Sequence, residues 1–199
     1  MSGFHRHRRS KLVFATFSVF EADLLRSLAA QLVELLHNER AVTPTTDDPL
    51  EALLDFSGPT TAPEDPVLQR LFPTAYRQDE EAAGEFRRFT EGSLRDAKAK
   101  AAESVIDVLE EAGLPTDPTD EEHGDHAEMV IDVELDEPTA LAWMRSFTDL
   151  RLALGTRLEV EEGDQDYWDA LPDEDPRAQA HHLYEWLGYL QETLVDAVG

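Results

Sequence analysis

Apolar positions along the chain fall into two periods. Residues Lys11 to Phe17 are rich in Val, Phe and Thr and suit a short strand. Met129, Ile131, Val133 and Leu135 alternate with Val130, Asp132 and Glu134, and this period of two predicts a second strand that pairs with the first. Elsewhere the period is helical. Ser18 and Glu21 have capping-box spacing, and Phe20, Leu24, Leu28, Leu32 and Leu35 then share one predicted face. Residues 79–112 read as one long helix, or as two hinged near Thr90 to Ser93. Phe86, Ala97, Ala101 and Val108 lie on its predicted buried side, and Gly113 and Pro115 stop it. Pro138 opens a helix with Trp143, Phe147, Leu150, Leu154 and Leu158 inward, and a last helix runs from Pro176 with Leu183, Leu187, Leu190 and Leu194 inward.

Asp48-Pro49, Asp65-Pro66 and Asp175-Pro176 repeat one device. A carboxylate that can cap is followed by a proline whose missing N–H costs nothing in the first turn, so each pair predicts a helix start. The stretches 43–48 and 56–65 read as loops, as does the acidic, aromatic stretch 159–175 holding Tyr167 and Trp168. The expected architecture is mainly α, with α+β as the alternative: a bundle of about five or six helices carrying a small two-stranded β element. Residues 11–199 are expected to form a single helical domain with an acidic loop at 115–127, preceded by a flexible basic arm over 1–10.

Composition narrows the function classes. With 41% hydrophobic residues in 199, the chain can bury a core. No apolar run approaches the roughly 20 residues of a transmembrane helix, and the N-terminus lacks a signal peptide, which gives a cytoplasmic expectation. Cysteine is absent, so disulfides, thiolate nucleophiles and thiol redox sensing are excluded. The formal charge of −26 opposes binding of a phosphate polyanion over most of the surface. Cations are local. Arg6, Arg8, Arg9 and Lys11 make the N-terminal arm basic, whereas Ala101 to Met144 holds no Lys or Arg against fourteen acids.

No G-x-S-x-G elbow, Walker A loop or G-x-G-x-x-G turn is present. His123 and His126, among Glu121, Glu122, Asp125 and Glu128, are weak metal candidates, because ligands need rigid elements and this segment has loop composition. A non-enzymatic chain without metal or cofactor is therefore expected, a metal-dependent hydrolase being the most distant reading. His181-His182 reads as one half-buried and one exposed histidine of a helix. Arg77, Arg87, Arg88, Arg95 and Lys98 fall in one sector of the long helix, predicted to face away from Phe86, Ala97 and Val108. That sector is either a solvated face, with Glu91 paired to Arg87, Arg88 or Arg95, or a docking face for an acidic partner or DNA phosphates. Reversing Arg87, Arg88 and Arg95 to Glu is accordingly expected to spare the fold. Asp149 is placed so that it can pair with Arg145 four residues earlier, and Gly155 signals a helix end or a close contact.

Three segments carry a resemblance: Ala75-Tyr76-Arg77 with Glu85 to Glu91 and Leu94-Arg95; Asp149 to Leu158; and Tyr184 to Gly188 through Gln191 to Leu194. Together with the helix from Glu21 to Leu36 they resemble an actinobacterial family, long described only as a domain of unknown function, that includes AosR-type oxidative-stress transcriptional regulators. The resemblance implies a transcription-associated regulator in the actinobacterial cytosol. Contacts with a sigma factor or RNA polymerase are expected to dominate, and direct DNA binding is expected to be weak. Family genes tend to neighbour that of a Clp protease adaptor, so an adaptor of regulated proteolysis is the alternative. Family regulators are associated with a redox-responsive cysteine pair, from which this chain departs completely.

Overall fold

The computed structural model describes residues 3–7, 11–38, 58–115 and 129–199. Among these, three antiparallel strands and six helices follow one another as β1 (His5–Arg6), β2 (Val13–Ser18), α1 (Val19–Asn38), α2 (Pro66–Leu71), α3 (Glu80–Glu111), β3 (Val130–Leu135), α4 (Glu137–Leu158), α5 (Gln165–Asp169) and α6 (Pro176–Val198). The chain is thus mainly α with a small β element. The helix start expected at Asp48-Pro49, the acidic stretch 116–127 and the histidines His123 and His126 lie outside the described residues.

The two expected strands pair in register from Val13 with Leu135 to Ser18 with Val130. Their period of two holds: Val13, Ala15, Phe17, Ile131, Val133 and Leu135 are buried, and Thr16, Asp132 and Glu134 face out. The expected two-stranded element is, however, a three-stranded sheet in the order β1-β2-β3, with His5 opposite Phe14. Its cause is Phe4, which inserts its ring among Phe17, Trp143 and Phe147 at centroid distances of 5.9, 5.8 and 6.1 Å. The Phe4 N–H donates to Thr193 Oγ1 at 3.1 Å. Burying such a ring is worth about 1.5–3 kcal/mol, enough to hold the segment. Residues 3–7 are therefore not the flexible arm expected over 1–10.

Capping chemistry sets the helix starts. The Ser18 N–H donates to Glu21 Oε2 at 2.8 Å and the Glu21 N–H to Ser18 Oγ at 3.2 Å, a reciprocal box that opens α1. Asp65, Asp79, Asp136 and Asp175 cap α2, α3, α4 and α6 with side-chain oxygens. α3 runs unbroken for 32 residues. Thr90 and Ser93, where a hinge was one reading, donate their hydroxyls back to the carbonyls of Phe86 and Thr90 instead.

α3 packs between α1 and α4, while α4 also packs on α2 and α6. The face that α1 buries is Ala22, Leu25, Ala29, Leu32 and Leu36, about one position round from the expected stripe, and Phe20 is 75% exposed. Small residues explain the shift, because Ala22 and Ala29 offer a flat surface on which neighbouring elements approach closely. α4 and α6 bury Trp143, Phe147, Leu150 and Leu158, and Leu187, Leu190 and Leu194, as their periodicity predicts.

Candidate interaction surfaces

The arginine sector of α3 does not face solvent as a whole. Arg87 and Arg95 are buried, 7% and 5% exposed, and between them lies Glu91 at 2%. Glu91 Oε2 accepts from Arg87 Nη1 at 2.5 Å, and its Oε1 accepts from Arg95 Nη2 at 2.7 Å and Nε at 3.1 Å. The i,i+4 pairing read from the sequence is present, but in the interior.

Each arginine also reaches a helix end. Arg87 Nη2 donates to the carbonyl of Phe72, the C-cap of α2, at 3.1 Å, and Arg95 Nη1 donates to the Leu36 carbonyl in the last turn of α1 at 3.2 Å. Terminal carbonyls lack intrahelical partners and carry the negative end of the helix dipole, so a guanidinium fits both needs. The Arg95 guanidinium also lies 4.7 Å from the Phe72 ring centroid. The triad thereby fastens α1 and α2 to α3.

Lys98 is half-buried, and its Nζ donates to Asp149 Oδ1 at 2.6 Å, so the partner of Asp149 is Lys98 of α3 and not Arg145, which is exposed. Burial pushes the Asp149 carboxyl above its usual range, although the hydrogen bond and charge of Lys98 pull it partly back. Of the five cations expected in the sector, Arg77 lies in the turn before the Asp79 cap and so is not part of α3; it and Arg88 are exposed, and Arg88 stacks 4.7 Å from the Phe89 ring centroid. In the N-terminal arm, Arg6 Nη1 donates to the Val198 carbonyl at 3.4 Å and Lys11 is exposed; Arg8 and Arg9 lie outside the described residues.

With charge turned inward, α3 turns apolar side chains outward. Phe86, Phe89 and Leu94 are 44%, 53% and 47% exposed, and Tyr76, 50% exposed, meets Phe86 edge-on at 5.8 Å. Phe86 was expected in the core. Beside it, Leu71, Phe72, Pro73 and Ala75 complete an apolar groove of about 290 Å³ against Phe86 and Leu94.

A second surface lies where α4 crosses α6, built from two of the segments that carry the resemblance. Tyr184 of α6 covers Gly155 of α4, where an added Cβ would stand 3.3 Å from the ring, and Arg151 of α4 covers Gly188 of α6 in the same manner. The two side chains stack on each other at 5.0 Å. Gly155 is therefore the close contact that its cost inside a helix predicts. Nearby, His181 is buried and parallel to Trp168 at 4.4 Å, while His182 is exposed. Arg177 donates to Tyr167 Oη at 2.9 Å and to the Leu158 carbonyl at 3.3 Å, closing the end of α4. This aromatic arrangement was not anticipated; the spacing of Tyr167-Trp168 from the Asp175-Pro176 helix start is the signal it leaves.

Among the described residues, no group of three His, Asp or Glu side chains is placed to hold a metal ion, and no helix is long and apolar enough to cross a membrane.

Comparison with known proteins gives two findings. The profile of a family described as Domain of unknown function (DUF2017) matches residues 1–198. Two mycobacterial proteins align over most of the chain. The oxidative stress regulator AosR of Mycobacterium tuberculosis is 32% identical over 189 residues, 88% of this chain and 77% of that protein. The putative oxidative stress regulator AosR of Mycobacterium leprae is 32% identical over 192 residues, 89% of this chain and 78% of that protein. No solved structure matches.

Proposed function

The chain belongs to the DUF2017 family, and from that premise we propose that it is a regulatory protein of the stress response, acting in transcription through protein contacts and without catalysis of its own. Relatives named as an oxidative stress regulator and a putative one align with 88% and 89% of this chain, which supports the regulatory class. The observation that carries the mode of action is the exposed apolar face of α3. Phe86 and Leu94 of the 32-residue helix and Tyr76 of the loop before it, each close to half exposed, form the kind of apolar patch that buries against another protein. A charge of −26 works against DNA phosphates as the main partner, so a sigma factor or RNA polymerase subunit is the favoured contact, in the cytoplasm. Promoter DNA is at most a secondary ligand. The signal does not pass through a thiol of this chain, because it has none.

The test is co-purification with the tagged chain from an actinobacterial host, before and after peroxide, comparing wild type with Phe86→Ser/Leu94→Ser. Polymerase or sigma-factor subunits are expected with wild type and are expected to be lost with the double variant. Recovery of Clp components instead replaces this reading by an adaptor of proteolysis. Equal recovery of polymerase with both chains removes the α3 face from the mechanism.

A further inference from the structure

We propose that the groove between α4 and α6 binds a small zwitterion of the amino-acid class, with its carboxylate on Arg151 and its ammonium on the acidic rim. This is independent of the α3 face and supplies an input that needs no thiol.

Arg151 makes no ion pair among the described residues, although the chain carries 43 acids and Glu185 and Glu192 line the same groove. Its guanidinium is nonetheless fixed on three sides. The Tyr184 ring lies 5.0 Å away, and the Gly188 backbone lies so close that an added Cβ would stand 3.3 Å from Cζ. Gln191 Oε1 accepts from Nη1 at 2.9 Å, and Gln191 is itself fixed by donating to Thr148 Oγ1 at 2.6 Å. The remaining donors are poorly used. Tyr184 Oη is 3.5 Å from Nη2, and Nε is enclosed without an acceptor, so the donors left for a ligand are the second N–H groups of Nη1 and Nη2.

A planar, immobilised guanidinium with unspent donors matches a carboxylate, which takes two parallel N–H bonds. The groove, about 640 Å³, is within the size range of small-molecule sites. Its rim selects further. Glu185, Glu192 and Asp196 repel a phosphate or any polyanion but attract a cation, so the ligand that satisfies floor and rim together carries both charges.

The test is an amide NMR titration of the full chain with lysine, with lysinamide, which lacks the carboxylate, and with inorganic phosphate. Lysine is expected to saturate at millimolar concentration with shifts centred on Arg151, Gly188 and Gln191, and lysinamide and phosphate to bind about tenfold more weakly or not at all. Arg151→Gln is expected to abolish the response. Glu192→Gln, at an exposed position that leaves the α4–α6 packing alone, is expected to weaken lysine several-fold. Lysinamide binding as tightly as lysine would mean that the rim merely collects cations. That result, or the absence of saturation by lysine on the wild-type chain, overturns the proposal without reliance on any variant's folding.

Discussion

Replacing Glu91 by Gln leaves two guanidinium groups, 7% and 5% exposed, without the carboxylate that lies between them. The amide keeps the shape of the side chain and one oxygen, so the change is chiefly one of charge. Breaking a buried ion pair by removing one partner costs ~3–5 kcal/mol, because the other charge stays desolvated. Here both arginines keep a carbonyl acceptor, Phe72 O and Leu36 O, which places the expected loss at the lower end, ~3 kcal/mol. Domains of this kind are stable by only ~5–15 kcal/mol, so the loss is a large fraction of the total. At roughly 2–4 °C per kcal/mol for chains of this length, Tm should fall by about 6–12 °C.

Urea unfolding followed by circular dichroism is the assay, with the slope compared between variants to confirm that the unfolded state is unchanged. Arg88→Glu, at an exposed neighbour, is the control and should stay within ~0.5 kcal/mol. A loss for Glu91→Gln below ~1 kcal/mol would refute the reasoning, since it would show water reaching the triad. Reversing Arg87, Arg88 and Arg95 together, which a solvent-facing stripe would tolerate, instead gathers carboxylates around buried Glu91 and is expected to prevent folding.

Two further outcomes follow from the packing. Lys98→Met strands the buried Asp149 carboxylate and should cost ~2–3 kcal/mol at neutral pH, whereas Asp149→Asn should cost under ~1 kcal/mol and make the Lys98→Met change nearly neutral in the double variant. Because the folded Asp149 carboxyl titrates above its usual range, the native chain holds a proton that the unfolded chain has released. Stability should therefore fall as pH rises from the ordinary carboxylate range through that raised value, and Asp149→Asn should flatten this part of the urea-versus-pH profile. Phe4→Ala should destabilise by ~3 kcal/mol in the same unfolding assay, and a change under ~0.5 kcal/mol would restore the idea of a loose N-terminus.

Much of the architecture is legible before any coordinates. Strands read from alternation, as at Met129 to Leu135, and the helix starts read from Asp65-Pro66 and Asp175-Pro176 both follow from chemistry within a few residues, which a sequence displays directly. The i,i+4 pairing of Glu91 with Arg87 and Arg95 is legible for the same reason. What the sequence conceals is which side of a helix the rest of the chain chooses to cover. β1 is invisible because a two-residue strand has no period, and Phe4 looks like part of a basic arm until Trp143 and Phe147 are beside it. The pairing of Asp149 with Lys98 joins residues on different helices, and no local rule separates it from Arg145 at i−4.

The helix faces fail in one consistent way, and the failure has a physical cause. In both α1 and α3 the stripe expected to face inward includes a phenylalanine, Phe20 in one and Phe86 in the other, and both are exposed. The buried seams run instead through alanines: Ala22, Leu25, Ala29, Leu32 and Leu36 in α1, and Ala99, Ala102, Val105 and Leu109 in α3. A helix is rigid, so the seam fixed by Ala102, Val105 and Leu109 continues at 100° per residue through Arg95, Glu91 and Arg87 and carries them inward. Those charges are then accepted because they neutralise one another and close the ends of α1 and α2. The exposure of Phe86 is the other side of the same geometry, since at 100° per residue it falls about 140° from the middle of the seam and has no part in the core. Phe86→Ser should consequently leave stability within ~1 kcal/mol. If the unfolding curve agrees with that while partner recovery falls, the effect belongs to contact and not to folding; if the variant unfolds at markedly lower urea, Phe86 is part of the fold and the α3 face loses its claim as a docking surface.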